Sequence, residues 1–250
     1  MTRVAVAGGT GLVGRHVVDV LRERGDDPVV VSRSAGVDLV TGNGAADALR
    51  GCEAVIDVSN VTTTRRAPAE AFFGAVTRTL TTAGIEAGVR HLVALSIVGI
   101  DRVPFGYYFG KRRQEELLRA SELPSTVLRA TQFHEFAGQL LARSPGPVAF
   151  VPRMRAQPVA AREVAAALVD LAHRAPTSAV LELAGPEVHE MPDLARRWLQ
   201  AQGSRRRVVS IPVPGKARRA MANGGLLPEA PDLRGEQTFD AFLAAGPPVL

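Results

Sequence analysis

Cysteine is almost absent from this chain: Cys52 is the only one in 250 residues. A single thiol excludes an internal disulfide and any metal cage built on cysteines. Aromatic side chains are scarce too, at 5 % of residues, while Ala, Val and Leu abound, as α/β layers packed with aliphatic side chains require. No run approaches the roughly 18 apolar residues of a membrane span. The first apolar run breaks into glycines too soon for a secretion signal. The expectation is a soluble cytoplasmic protein, monomer or homodimer, with a small-molecule substrate and neither membrane nor nucleic acid as partner. The formal charge of +5 and a pI near 10.3 give a mild attraction for anionic ligands. The basic residues gather at Arg205-Arg206-Arg207 and at Lys216, Arg218 and Arg219. No aromatics interleave with them and no finger or helix-turn-helix spacing accompanies them, so they read as a solvated face.

Glycine, by contrast, is concentrated where it has a use. Ala5 to Ala7 reads as a buried strand that runs into Gly8, Gly9, Thr10, Gly11, Leu12, Val13 and Gly14. Leu12, Val13, Val17, Val20 and Leu21 then form a helical stripe that stops at Gly25. Gly9 and Gly11 allow a tight turn and a close approach of backbone to a diphosphate. Gly14 lets the helix pack on the strand, and the helix N-terminus offers free N–H groups to the anion. A dinucleotide is expected here.

A chain that chooses NAD ends its second strand in a carboxylate that grips the ribose hydroxyls, about twenty residues past the glycines. That carboxylate is missing. Ser32-Arg33-Ser34 stands in its place, and Asp26 and Asp27 precede the strand, at its wrong end. Arg33 can pair with a 2′-phosphate while Ser32 or Ser34 adds a hydroxyl donor, so NADPH is the expected cofactor.

Further strands are expected at 28–31, 37–40, 54–58, 91–96 and 126–129, with helices at 45–50, 68–88 and 107–120. Strands alternating with helices specify an α/β fold, a Rossmann-type doubly wound parallel sheet. Beyond Thr131 the pattern loosens, with a helix at 133–142, strand-like pieces at 148–151, 158–160 and 208–213, and a helix at 162–173. A strand at 180–183 returns to the sheet. The expected division is a dinucleotide-binding core over 1–130 and a small substrate lobe over 131–250, integrated in one domain. In such a sheet the ligand crevice lies outside the carboxyl ends of the strands. That rule gathers Ser32-Arg33, Ser59-Asn60, Ser96 and Ala130-Thr131 around one site.

Tyr107 and Lys111 lie four residues apart, one turn along one face of the 107–120 helix. An ammonium beside a phenol lowers its pKa and makes it a usable proton donor to a carbonyl oxygen. Lys111 could also hold the nicotinamide ribose, and Ser96 could donate to the same carbonyl oxygen. His134-Glu135 begins like a zinc-protease helix, but Gly138 stands where the second ligand belongs.

Together the Gly8-x-x-Gly11-x-x-Gly14 start, Ser96 and Tyr107-x-x-x-Lys111 resemble the short-chain dehydrogenase/reductase family. Gly-Gly-Thr-Gly at the first turn, Ser32-Arg33, and Leu128-Arg129-Ala130-Thr131-Gln132-Phe133 are similar to its atypical, NmrA-like NAD(P)H-binding branch. The resemblance implies a Rossmann fold, a nicotinamide cofactor, and Ser96, Tyr107 and Lys111 as catalytic candidates. Ser96 and Tyr107 are closer in sequence than the family pattern has them. The expected activity is NADPH-dependent reduction of a carbonyl or conjugated double bond. The alternatives are a non-catalytic NADP(H) sensor, and an epimerase or dehydratase that uses the cofactor transiently.

Overall fold

The computed structural model describes residues 1–213 and 215–246. Its first elements are β1 (Arg3–Ala7), α1 (Leu12–Glu23), β2 (Asp27–Val31), α2 (Ala45–Leu49), β3 (Ala54–Asp57), α3 (Arg66–Glu86) and β4 (His91–Ile97). Then come α4 (Gly106–Arg119), β5 (Ser125–Ala130), α5 (Phe136–Ala142), β6 (Val148–Pro152), β7 (Arg155–Ala156), α6 (Ala161–Ala172) and β8 (Val180–Ala184). The last are β9 (His189–Glu190), α7 (Met191–Ala201), β10 (Arg207–Ile211), α8 (Ala217–Ala222), β11 (Leu233–Arg234) and α9 (Phe239–Ala244).

Val4 to Ala7 and Ala54 to Asp57 are buried, the continuous pattern of strands covered on both faces. They join a seven-stranded sheet in the order β11-β8-β5-β4-β3-β1-β2. This is the expected Rossmann-type α/β fold. The strand order reverses between β1 and β3, which is where a doubly wound sheet opens its ligand crevice. Parallel register aligns Ala7 with Val31 and with Asp57, and Asp57 with Ala94. The residues that follow these four therefore emerge along one edge.

α1 buries Val13, Val17, Val20 and Leu21 and ends with Gly25 N–H on the Arg22 carbonyl and Asp26 N–H on that of Leu21. That pair of bonds is the Schellman closure expected of a glycine stop. α3 begins at Arg66, so Pro68 lies in the first turn, where its missing N–H costs nothing.

Two expected strands do not form. Val37–Val40 is a turn, because Asp38 diverts its backbone. The Asp38 carboxylate accepts Val40 N–H, its carbonyl accepts Gly42 N–H, and its own N–H donates to Asn43. Local bonds of this kind compete with a ladder and here replace one. β2 is consequently the sheet's edge, although Val37 and Leu39 are still buried. Between 158 and 160 only Val159 bridges, to Phe133, and the extended pair is Arg155–Ala156.

Two compact units result. The first comprises Met1–Ser96, Phe105–Arg129 and Ala161–Leu181. The second comprises Ile97–Pro104, Ala130–Ala160 and the described residues from Glu182 on. α6, which a division at residue 130 would give to the lobe, belongs to the first unit, where it packs on α1. Arg24 pairs there with Asp170 at 2.6 Å and Arg162 with Glu23 at 2.6 Å. The first unit's core is aliphatic: Ala5, Val31, Leu49, Val55, Leu80 and Leu92 are buried together. The second unit holds an aromatic cluster around Trp198, as the first holds one around Phe73. Trp198 lies 5.6 Å from Phe242, and His134 stacks on Phe242 at 5.1 Å and shares a 3.1 Å hydrogen bond with the Gln237 carbonyl. His134 is thus a core aromatic.

Candidate functional site

The turn after β1 is built so that side chains are excluded. Gly8 has φ +79°, a region that favours glycine, and a Cβ there would lie 2.8 Å from the Ser59 Cα. A Cβ on Gly14 would lie 2.2 Å from the Gly8 carbonyl oxygen and 2.7 Å from the Gly9 Cα, so the helix rests directly on the turn. Gly8 N–H donates to Val31 at 2.9 Å, which ties the turn to the end of β2. Gly11 caps α1 from an extended conformation with no side-chain cap. The N–H groups of Leu12, Val13 and Gly14 precede the first intrahelical donor, Arg15, whose N–H reaches Gly11. Arg15 also hangs its guanidinium over the turn, 3.1 Å from the Thr10 carbonyl. Sequence reasoning did not single out Arg15; a cation one turn into a glycine-started helix was the available signal.

Past β2, Arg33–Ala35 forms a 3₁₀ turn and the Ser32 and Ser34 hydroxyls share a 3.0 Å hydrogen bond. Arg33 is exposed, and among the described residues its guanidinium has no carboxylate partner.

At the end of β3 the buried Asp57 carboxylate accepts Ser59 N–H at 2.9 Å and the Gln114 amide at 2.7 Å. Ser59 is buried against Gly8, and its hydroxyl has no partner among the described residues. Asn60 accepts the Tyr107 hydroxyl at 2.6 Å. Tyr107 is half-buried, and its ring meets Phe73 edge-on at 5.6 Å.

α4 presents a polar stripe to the interior. Lys111, Gln114 and Glu115 are buried at helical spacing beside Leu118. The Lys111 ammonium donates to the Leu95 carbonyl at 2.9 Å and to Gln114 Oε1 at 3.0 Å, and lies 4.2 Å over the Phe73 ring. Burial lowers its pKa to about 8, a fall that the Asp57 and Glu115 carboxylates partly offset. Glu115 accepts the Ser96 hydroxyl at 2.6 Å and both arms of Arg129, at 2.9 and 2.6 Å. Ala130 closes β5 and its carbonyl accepts Val98 N–H at 3.0 Å.

The ammonium was expected to lower the phenol's pKa, and here the opposite holds. Burial, then Tyr108 and Asp57, hold Tyr107 above the ordinary tyrosine value. Lys111 makes no hydrogen bond to the phenol; its donors serve Leu95 and Gln114. Ser96, whose hydroxyl points to Glu115, is likewise not joined to Tyr107 by any hydrogen bond. Tyr107 and Asn60 are brought together, and so are Lys111 and Gln114.

A family model described as NAD(P)H-binding matches residues 8–175. The chain belongs to the NAD(P)H-binding family. It is 27% identical over 239 residues to a ceramide reductase of Caulobacter vibrioides, covering 85% of this chain and 74% of that one. It is 34% identical over 158 residues to a (4-alkanoyl-5-oxo-2,5-dihydrofuran-3-yl)methyl phosphate reductase of Streptomyces griseus, 57% of this chain and only 51% of the relative. Among solved structures, an NADPH-dependent quinone oxidoreductase of Escherichia coli complexed with NADPH superimposes with a TM-score of 0.70. That match is 19% identical and covers 97% of this chain and 99% of the other, a likeness of fold.

The residues present fit the cofactor that gives the NAD(P)H-binding family its description. The glycine turn leaves backbone N–H groups free where a diphosphate needs donors. The unpartnered Ser59 hydroxyl, buried where buried polar groups ordinarily have partners, provides one more polar group beside it.

Proposed function

We propose that this chain is an NADPH-dependent reductase acting on a carbonyl or conjugated double bond of a small organic molecule. The observation that carries the cofactor choice is Arg33: an exposed guanidinium without a carboxylate partner among the described residues, at the strand end that the Gly8–Val31 hydrogen bond ties to the glycine turn. The reductase names of both curated relatives support the reaction class.

In this reading Gly8 to Gly14 hold the pyrophosphate, with Arg15 beside them, and Ser32, Arg33 and Ser34 take the 2′-phosphate. Ser59 and Asn60 border the cofactor, and Ala130, the last residue of β5, is assigned to it as well. Bound NADPH supplies a hydride to the electrophilic carbon of the acceptor. Tyr107 holds a proton at its hydroxyl at every working pH, because its pKa is raised. A developing alkoxide oxygen is basic enough to take that proton. Asn60 orients the hydroxyl beforehand. Lys111 brings a positive charge to the ribose side of the site, and the Asp57 carboxylate and Gln114 amide keep it in place. Ser96 serves as an anchor and not as a donor to substrate, because its hydrogen is already given to Glu115.

A second reading has its own observation. Ser96, Tyr107 and Lys111 each already have a protein partner, as a cofactor-binding sensor with no turnover would allow. Incubation with NADPH and a panel of ketones, enones and quinones separates the two. Oxidation of many equivalents of NADPH per chain supports the reductase. Binding without oxidation supports the sensor.

A further inference from the structure

In the second unit β6 and β10 pair in parallel, with Arg207 beside Val148, Val209 beside Phe150 and Ile211 beside Pro152. Side chains alternate along a strand, so these six share one face. The opposite face of β6 is covered: Ala149 and Val151 are buried, and α5 and α7 pack on the strand. The other face has no such cover among the described residues. Phe150 is 53 % exposed, Val209 42 % and Ile211 37 %. Scattered apolar residues on a surface need no explanation, but a contiguous row on an uncovered sheet face does.

The two stretches of chain that supply and flank that row are rich in cations. Residues 136–160 carry three arginines and residues 194–228 carry eight lysines and arginines, with no Asp or Glu in either stretch; Arg196 and Arg197 are paired with Asp193 and Asp240. Arg153, Arg205 and Arg207 are exposed, and among the described residues none has a carboxylate partner. Four residues after β10 begins a cavity of about 310 Å³ lined by Gly215, Lys216, Arg218 and Arg219. A second copy of this chain is a poor occupant of the face, since self-pairing would set cation against cation. Nucleic acid would use the cations and leave the aliphatic row without a partner. An anionic lipid surface uses both.

We infer that this face docks on an anionic phospholipid bilayer. Phe150, Val209 and Ile211 enter the boundary between headgroups and acyl chains, and the surrounding arginines and Lys216 hold lipid phosphates. The expectation of no membrane partner rested on the lack of a span, and a protein that lies on the surface needs none. The docking would hold the enzyme at the layer where sparingly soluble acceptors partition.

Flotation of the full chain with vesicles tests this. Binding is expected to phosphatidylcholine vesicles containing phosphatidylglycerol, to fall as salt rises, and to vanish with phosphatidylcholine alone. Phe150→Ser with Val209→Ser, and separately Arg207→Glu with Arg218→Glu, should each reduce the floated fraction at least about tenfold. Both substitute exposed side chains, so the melting temperature should stay at the wild-type value. The inference is overturned by absence of flotation, or by flotation that neither variant pair changes. It is also overturned if the arginine pair alone weakens binding, duplex DNA competes the vesicles away and the serine pair is silent. Dimers lost in the serine pair on gel filtration, without vesicle binding, would assign the face to a second copy instead.

Discussion

Ser96 gives its hydroxyl hydrogen to Glu115 at 2.6 Å, and the same buried carboxylate takes the Arg129 fork. Three successive elements thereby meet at one group: β4, α4 and β5. Removing the carboxylate takes away the counter-charge 2.6 Å from Arg129, whose side chain is only 15% exposed. Glu115→Ala should therefore cost about 3–5 kcal/mol, and Ser96→Ala about 1–3 kcal/mol. Urea denaturation of the two variants against wild type measures both. Equal and negligible losses would mean that the network is not structural.

The turn makes a sharper, local prediction. Gly14→Ala puts a Cβ 2.2 Å from the Gly8 oxygen, so helix and strand must part. Loss of NADPH binding and a lowered melting temperature are expected together. Gly11→Ala, whose Cβ meets the same oxygen at 3.2 Å, should be milder on stability. Melting curves with and without NADPH distinguish them, and a Gly14→Ala protein that binds normally would refute the geometry of the turn.

Much of this turn was legible in the sequence, because the requirement for glycine is local: Gly8 and Gly14 are needed by atoms a few residues away or one strand over. Val37–Val40 was misread since an apolar run carries no record of where Asp38 sends its hydrogen bonds. Of the α4 stripe only Lys111 was singled out, and Gln114 and Glu115 were missed for a different reason. They stand in a strongly charged helix, and their partners Asp57, Ser96 and Arg129 are 14 to 57 residues distant. A signal existed nonetheless: Tyr107, Lys111, Gln114 and Leu118 repeat at helical spacing on one face, which asks what a polar core-facing stripe would bind. Asp57 in the apolar strand Ala54-Val55-Ile56-Asp57-Val58 asked the same question.

Tyr107→Phe removes only the hydroxyl. If that group is the acid, turnover falls by about 10²–10⁴-fold while NADPH affinity is kept. Tyr108→Phe, with no hydrogen bond to lose among the described residues, should be nearly silent. Steady-state rates on one accepted substrate decide this, and full activity in Tyr107→Phe would hand the role to Tyr108, to water, or to no acid.

Lys111 sets a pH signature. Its pKa is lowered from 10.5 in the unfolded reference to about 8 in the fold. Between those values the unfolded chain binds the extra proton, so stability rises with pH across about 8 to 10.5. Below that window the cost of burying the ammonium is constant. Lys111→Met should remove the rise from a plot of melting temperature against pH. NADPH affinity in the wild type should fall above about pH 8, as the ammonium is lost. A flat profile in both would show that Lys111 is not the titrating group.

The assignment as an NADPH enzyme rests on Arg33, and calorimetric titration of the wild type and Arg33→Ala with NADPH and with NADH tests it most directly. A charge-assisted contact to the 2′-phosphate should make NADPH bind at least about tenfold more tightly than NADH. The substitution should erase that preference while leaving NADH affinity nearly unchanged. Equal affinities of the wild type for the two cofactors would contradict the account.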